Sequence, residues 1–206
     1  MKSAIKNMEL CFLMKRLMLK DSVTFIHSYR VSEIALSFVH ELGFSESERK
    51  TIHVGGLLHD IGKLKIEEGI LNKKERLTEQ EFRTIQKHPV YGEAILKKYV
   101  FTDEILMAKH HHERWDGRGY PDGLQGEEIP TFARVLALAD SLEAMTGIRP
   151  YRRSLNWDEA YEEIAQGQGT QFDPELTEQF LGWMKKTNVS VKEDVEQLYR
   201  QIVQAI

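Results

Sequence analysis

Histidine and aspartate fall in an ordered series along the chain: His27, the pair His59-Asp60, His88, the triplet His110-His111-His112, and Asp140. Taken singly, each has an ordinary structural explanation. His27 sits on the apolar side of a helical pattern, where a hydrogen-bonded core histidine is the commoner outcome. His88 stands just before a helix, and the triplet reads equally well as a solvated cluster. Asp140 resists this treatment, because a carboxylate among Leu136, Ala137, Leu138, Ala139 and Leu142 is costly to bury without a compensating charge. Taken together, imidazoles and carboxylates carried on helices and turned to one interior are how helical bundles build metal sites. A nitrogen and oxygen donor set with no thiolate nearby favours a hydrolytic metal over a Cys-rich structural zinc. An adjacent His and Asp at a helix end can reach two neighbouring ions, with the Asp60 carboxylate bridging them. Two ions about 3.5–4 Å apart can activate one water and clamp a phosphate while its ester bond breaks.

Holding such a set in place takes helices, and nearly every segment has helical period. From Ser22 to Leu42, the residues Val23, Ile26, His27, Arg30, Val31, Ile34, Ala35, Phe38 and Val39 recur at three- and four-residue steps, with Gly43 as the stop. Ser45 with Glu48 gives a capping-box signature for a helix running toward His59, and Thr78 with Glu81 repeats it before Phe82 and Ile85. Pro89 suits the first turn of a helix holding Tyr91, Ala94, Ile95 and Leu96. Thr102 is placed to cap a helix entering the His triplet, and a Gly-rich loop follows from Trp115 to Gly126. Pro130 begins a strongly apolar helix that ends near Gly147. Asn156 and Asp173 cap two more, and Ser190 with Glu193 opens a last helix bearing Val191, Val195, Leu198, Ile202 and Val203 on one side. No segment alternates convincingly at period two. The predicted fold class is all-α, in one domain.

Composition agrees with that reading and excludes others. With 206 residues, 41% hydrophobic and 29% charged, the chain can bury a core and is not disordered. Its 28 Lys+Arg against 32 Asp+Glu leave a net charge of −4, which gives no general attraction to DNA; a nucleotide ligand must be held by local positive charge. No run of ~18 uncharged apolar residues is present to span a membrane. The opening stretch MKSAIKNMELCFLMKRLMLK is basic and apolar, but Glu9, Lys15 and Arg16 interrupt it and no small-residue cleavage site follows. It reads as a packed or dimerising helix rather than a secretory signal, and the expected location is the cytoplasm. The single cysteine, Cys11, reads as a core filler.

The same residues carry a resemblance. His59-Asp60-Ile61-Gly62-Lys63, His88-Pro89-Val90-Tyr91-Gly92, and His111-His112-Glu113-Arg114-Trp115-Asp116-Gly117-Arg118-Gly119-Tyr120-Pro121 resemble the motifs of the HD-GYP family of HD phosphohydrolases. The likeness continues through Ala133 to Asp140, Arg149-Pro150-Tyr151-Arg152 and Phe172-Asp173-Pro174, and so spans roughly Asp21 to Leu181. It implies a single HD-domain helical bundle with a GYP-type loop, and a phosphodiesterase converting cyclic di-GMP to linear pGpG, with GMP as the product of any second cut. The implied metal ligands are His27, His59, Asp60, His88, His111, His112 and Asp140, with Asp60 bridging and a metal-bridging hydroxide attacking phosphorus. The implied metals are two divalent ions, iron or manganese. Lys63, Arg149 and Arg152 match the residues that hold substrate phosphates, with Lys63 also beside the chemistry, and Tyr120 in the loop is placed to touch substrate or a signalling partner.

Some positions depart from the family pattern. His110 lies outside the matched pair, and His40 and His53 match no ligand position. Some family members hold a third metal with a Glu one turn before the first ligand His; that place is Val23 here, so two metals are expected. Where members often carry Asp-Ala after the last ligand, this chain has Glu143-Ala144, which leaves the role of that carboxylate open. The expected organisation is an amphipathic helix over residues 1–20 that includes a homodimer contact at Met8 and Phe12, the HD-GYP domain over 21–188, and a helix over 189–206 packed on it. No sensory segment is read ahead of the domain. The alternatives are a catalytically weak signalling module that binds cyclic di-GMP or a protein, and a phosphohydrolase acting on another nucleotide.

Overall fold

Local capping chemistry sets where the helices begin. The computed structural model of the chain describes residues 2–147 and 154–187. Helix α1 (Lys2–Lys20) gives way to α2 (Ser22–Glu41) at Asp21, whose carboxylate accepts the amides of Val23 and Thr24 and so starts a new helix there. The end of α2 is closed by two returning amides, Gly43 to the His40 carbonyl and Phe44 to the Val39 carbonyl. Capping boxes at Ser45 and Thr78 start α3 (Glu46–Leu58) and α5 (Glu79–Ile85), as their spacing predicts. Between these lie a 3-10 turn (Ile61–Lys65) and the short α4 (Glu68–Leu71). Next come α6 (His88–Leu96), with Pro89 in its first turn, and α7 (Asp103–His110). The Gly-rich loop then runs into a second 3-10 turn (Gly126–Glu128) and α8 (Thr131–Thr146). Asn156 caps α9 (Trp157–Gln166), and Asp173 caps α10 (Pro174–Lys186). Among the described residues there is no strand, only isolated bridges between Asp116 and Gln125 and between Gln168 and Phe172. The fold is all-α.

Two apolar clusters hold the helices together. One gathers Val31, Ile34 and Phe38 of α2, Leu136 and Leu142 of α8, Ile164 of α9, and Phe180 and Trp183 of α10. The other gathers Leu13 and Leu17 of α1 with Leu58, Ile61, Leu96 and Phe101. Helix α3 serves both, giving Ile52 to the first and Leu57 and Leu58 to the second. Its C-terminal end, where His59 and Asp60 stand, is thereby fixed from both sides.

Two local expectations are corrected. Cys11 is exposed and is not a core filler, because α1 turns Leu13, Met14 and Leu17 inward and Cys11 falls on the other side. Thr102 does precede α7, but its side chain makes no capping bond. The buried Glu104 carboxylate takes the Thr102 amide instead and also receives Lys6, tying α7 to α1. Arg149, Arg152 and the helix expected over 189–206 lie outside the described residues. Among those described, no helix is long and apolar enough to cross a membrane.

Candidate metal centre

The ligand-type side chains reach the same interior from the ends or inner faces of several elements. His27 comes from α2 and Asp140 from α8; His59 closes α3, and Asp60 opens the following 3-10 turn. His88 is the first residue of α6, while His111 and His112 follow α7. Gly62 makes this convergence possible. A Cβ there would stand 1.9 Å from the His88 carbonyl oxygen and 2.6 Å from the Gly92 nitrogen, so only glycine lets the 3-10 turn lie against the start of α6.

The Asp60 carboxylate faces two ways. Its Oδ1 lies 3.1 Å from His88 Nε2, and its Oδ2 lies 3.5 Å from the Nε2 atoms of both His27 and His59. His27 Nε2 is 3.1 Å from Asp140 Oδ1 and 3.3 Å from His59 Nε2. On the other side, His88 and His111 bring their Nε2 atoms to 3.2 Å, and the His111 and His112 rings lie 4.1 Å apart. Triads able to hold a metal ion include His27, His59 and Asp60 on one side and His88, His111 and His112 on the other. The set is nearly all buried, with His59, Asp60 and His88 at 0–1% exposure.

Imidazole orientation is fixed through the ring atoms that point away from the cluster. His59 Nδ1 donates to the Gly56 carbonyl at 2.7 Å, His88 Nδ1 to Ile85 at 2.8 Å, and His111 Nδ1 to Ala108 at 3.1 Å. His27 Nδ1 donates instead to the carboxylate of Glu143, one turn along α8 from Asp140. Charge follows from the packing. Burial pushes His59, His111 and His112 toward the neutral form, His112 to about 3. Burial also opposes the His27 cation, but hydrogen bonds and charge from Asp140 and Glu143 outweigh it and raise His27 to about 9. Burial works against ionised Asp60 as well, yet Lys63, His59 and His88 hold it well below the ordinary carboxylate range; Asp140 is likewise held ionised against burial, by His27 first. Neutral His59, His111 and His112 with ionised Asp60 and Asp140 are the donor state a divalent cation requires, and His27 joins them on losing its proton, so the residues present fit a metal.

The remaining candidates separate clearly. Lys63 Nζ donates to Asp60 Oδ2 at 2.6 Å. Tyr120 lays its ring on His112, 4.8 Å between centroids and 32° from parallel, and so borders the cluster. His110 faces the loop: its Nδ1 is 3.7 Å from Glu113 and 4.0 Å from Asp122. His53 faces Glu33, at 3.6 Å. Val23, one turn before His27, offers no donor atom and is mostly exposed.

Some important residues carried no role in the sequence reading. Glu113 is buried, and its carboxylate accepts the amides of Asp122 at 2.8 Å and Leu124 at 3.1 Å, which pins the loop bearing Tyr120. Gly119 serves the same loop: a Cβ there would meet the Arg114 nitrogen at 2.4 Å. Arg134 pairs with Asp173 and lies over the Trp115 ring, tying the loop to the start of α10. The only signal available was an acidic residue directly after a His pair and before a Gly-rich loop.

An HD domain family model matches residues 11–176. The chain is 37% identical over 165 residues to the cyclic di-GMP phosphodiesterase response regulator RpfG of Xanthomonas campestris, covering 79% of this chain and 44% of that protein. It is 42% identical over 142 residues to the 3'3'-cGAMP-specific phosphodiesterase 1 of Vibrio cholerae, covering 68% of this chain and 33% of that one. The chain thus spans less than half the length of these relatives. Among solved structures, the HD domain of the L. monocytogenes phosphodiesterase PgpH, in complex with cyclic-di-AMP, superposes with a TM-score of 0.65 at 20% identity, covering 87% of this chain and 96% of that one. That likeness establishes the fold.

Proposed function

The chain belongs to the HD-domain family, in its HD-GYP branch, and on that premise we propose that it is a metal-dependent phosphodiesterase that hydrolyses cyclic di-GMP to linear pGpG. The observation that carries this reading is the divided Asp60 carboxylate, with one oxygen toward His88 and the other toward His27 and His59. In this reading His27, His59 and Asp140 would hold one divalent ion and His88, His111 and His112 a second, with Asp60 placed to serve both. The mixed imidazole and carboxylate set suits iron or manganese. Two such ions, when bound, supply water activation and charge neutralisation at a phosphodiester.

The protein's own groups do the rest. Asp60 and Asp140 stay ionised and offset cationic charge in a buried space. Lys63 places its ammonium at the edge of the centre, where a phosphate oxygen can replace Asp60 as its acceptor. Tyr120 shields His112 on one side and offers a ring face to a purine. The reading gives Arg149 and Arg152 the remaining phosphate contacts, through guanidinium forks. Arg149→Ala and Arg152→Ala should each raise KM about tenfold or more with unchanged metal content, as loss of a charge-assisted contact implies; metal loss in either variant would argue for a structural role.

The similarity to both cyclic di-GMP and cGAMP phosphodiesterases makes the substrate panel the experiment. Metal-loaded protein is incubated with cyclic di-GMP, 3'3'-cGAMP and cyclic di-AMP, and products are separated chromatographically. The expected result is fastest turnover of cyclic di-GMP to pGpG. Preference for another cyclic dinucleotide would correct the substrate, and binding without any turnover would make the chain a receptor. The reading also places the chain in the cytoplasm, as a homodimer joined through the exposed outer face of α1.

A further inference from the structure

Most imidazoles around the centre are oriented by their own backbone. His59, His88 and His111 each donate Nδ1–H to a carbonyl three residues back. His27 is held differently. Its Nδ1 donates to Glu143 Oε2 at 2.5 Å, across the packed faces of α2 and α8, and Arg30 stands 3.6 Å from the other Glu143 oxygen. Glu143 is buried, at 4% exposure, so its charge is not screened by solvent. A carboxylate behind a ligating imidazole fixes the ring and its tautomer and makes the opposite nitrogen a stronger donor; a backbone carbonyl does this more weakly.

We propose that Glu143 is a positioning residue that aims His27 Nε2 at the space between Asp60 and Asp140. It thereby strengthens the ion held by His27, His59 and Asp140 and leaves the ion at His88, His111 and His112 untouched. The extra methylene of glutamate over aspartate provides reach from α8 to α2. Arg30, one turn after His27 on α2, holds the carboxylate from the other side. This inference rests on the dinuclear reading above, and it makes the two metal sites unequal in a way traceable to one side chain.

The test is calorimetric titration of the metal-free 206-residue chain with Mn2+, comparing wild type with Glu143→Gln, which preserves side-chain length and an acceptor oxygen but removes the charge. The expected result, with affinities corrected for the protons released on binding, is two sites in wild type, with one weakened about 10–100-fold in the variant and the other unchanged. Two sites unchanged in the variant, or both weakened equally, would overturn the role of Glu143 while leaving the dinuclear reading intact. A wild type that binds fewer than two ions would overturn that reading, and the inference with it. A second comparison guards against a general loss of structure. In a His27→Gln background, adding Glu143→Gln should cause no further loss of Mn2+ affinity, because its target is gone. A further loss as large as in the wild-type background would show that Glu143 acts through the fold and not through His27.

Discussion

His27 and its neighbours differ in the proton each must surrender before a cation can bind. In the metal-free chain His27 titrates at about 9, so at pH 7 it carries a proton, whereas His112 at about 3 and His111, held well below its usual value, do not. A cation entering beside His27 therefore displaces a proton, and one entering beside His111 and His112 displaces none from those rings. The affinity of the His27 site should rise about tenfold per pH unit up to about 9 and then level off, with one proton released per ion below that point. The other site should gain nothing from His111 or His112 over the same range. Titrations at several pH values, in buffers of different ionisation enthalpy, measure both slopes; equal slopes would contradict the assignment. The contrast was not legible in the sequence. Asp140 stood out there because a carboxylate in an apolar helix demands a partner, but the identity of that partner depends on how α2 lies against α8. The role of Glu143 depends on the same packing, because its carboxylate meets His27 only where α8 lies against α2.

Helix ends, more than helix faces, build the centre, and helix ends are what short-range sequence signals describe best. The capping boxes at Ser45 and Thr78 and the Pro at the start of α6 specify their helices locally, so these were readable without any tertiary knowledge. The 3-10 turn at Ile61–Lys65 was not, because its five residues carry no periodicity and its conformation is set by the close approach to α6. Gly62→Ala tests that approach. The new methyl would collide with backbone atoms of His88 and Gly92, which cannot rotate away, and should cost about 1–3 kcal/mol, as other overpacked sites do. Urea unfolding in the presence of chelator reads that loss, and metal affinity should fall with it as Asp60 and His88 separate. An unchanged unfolding midpoint would mean that the turn has room to move. Helix faces carry less local signal than helix ends. Helix α1 is apolar over most of its circumference, and periodicity alone could not say whether the stripe with Leu13 and Leu17 or the one with Met8, Cys11 and Phe12 faces the domain.

The inward stripe of α1 is used, and the outward one is left in solvent: Met8 is 73% exposed, Phe12 53% and Leu19 74%. With Ile5 they recur at steps of three, four and seven residues, the spacing of a seam between two helices. A two-fold dimer that pairs these faces would bury them. Light scattering at micromolar concentration should give twice the chain mass for wild type and the single mass for Met8→Glu with Phe12→Glu; a monomeric wild type would contradict the dimer. The larger question is whether the molecule is built around two metal ions shared by one carboxylate. Elemental analysis of anaerobically purified protein, with cyclic di-GMP turnover measured on the same sample, answers it most directly. The predicted result is two ions per chain, turnover that falls in proportion as chelation removes them, and loss of both metal and turnover in Asp60→Ala. Full turnover with a single ion per chain, or an Asp60→Ala variant that keeps both ions and hydrolyses normally, would contradict it.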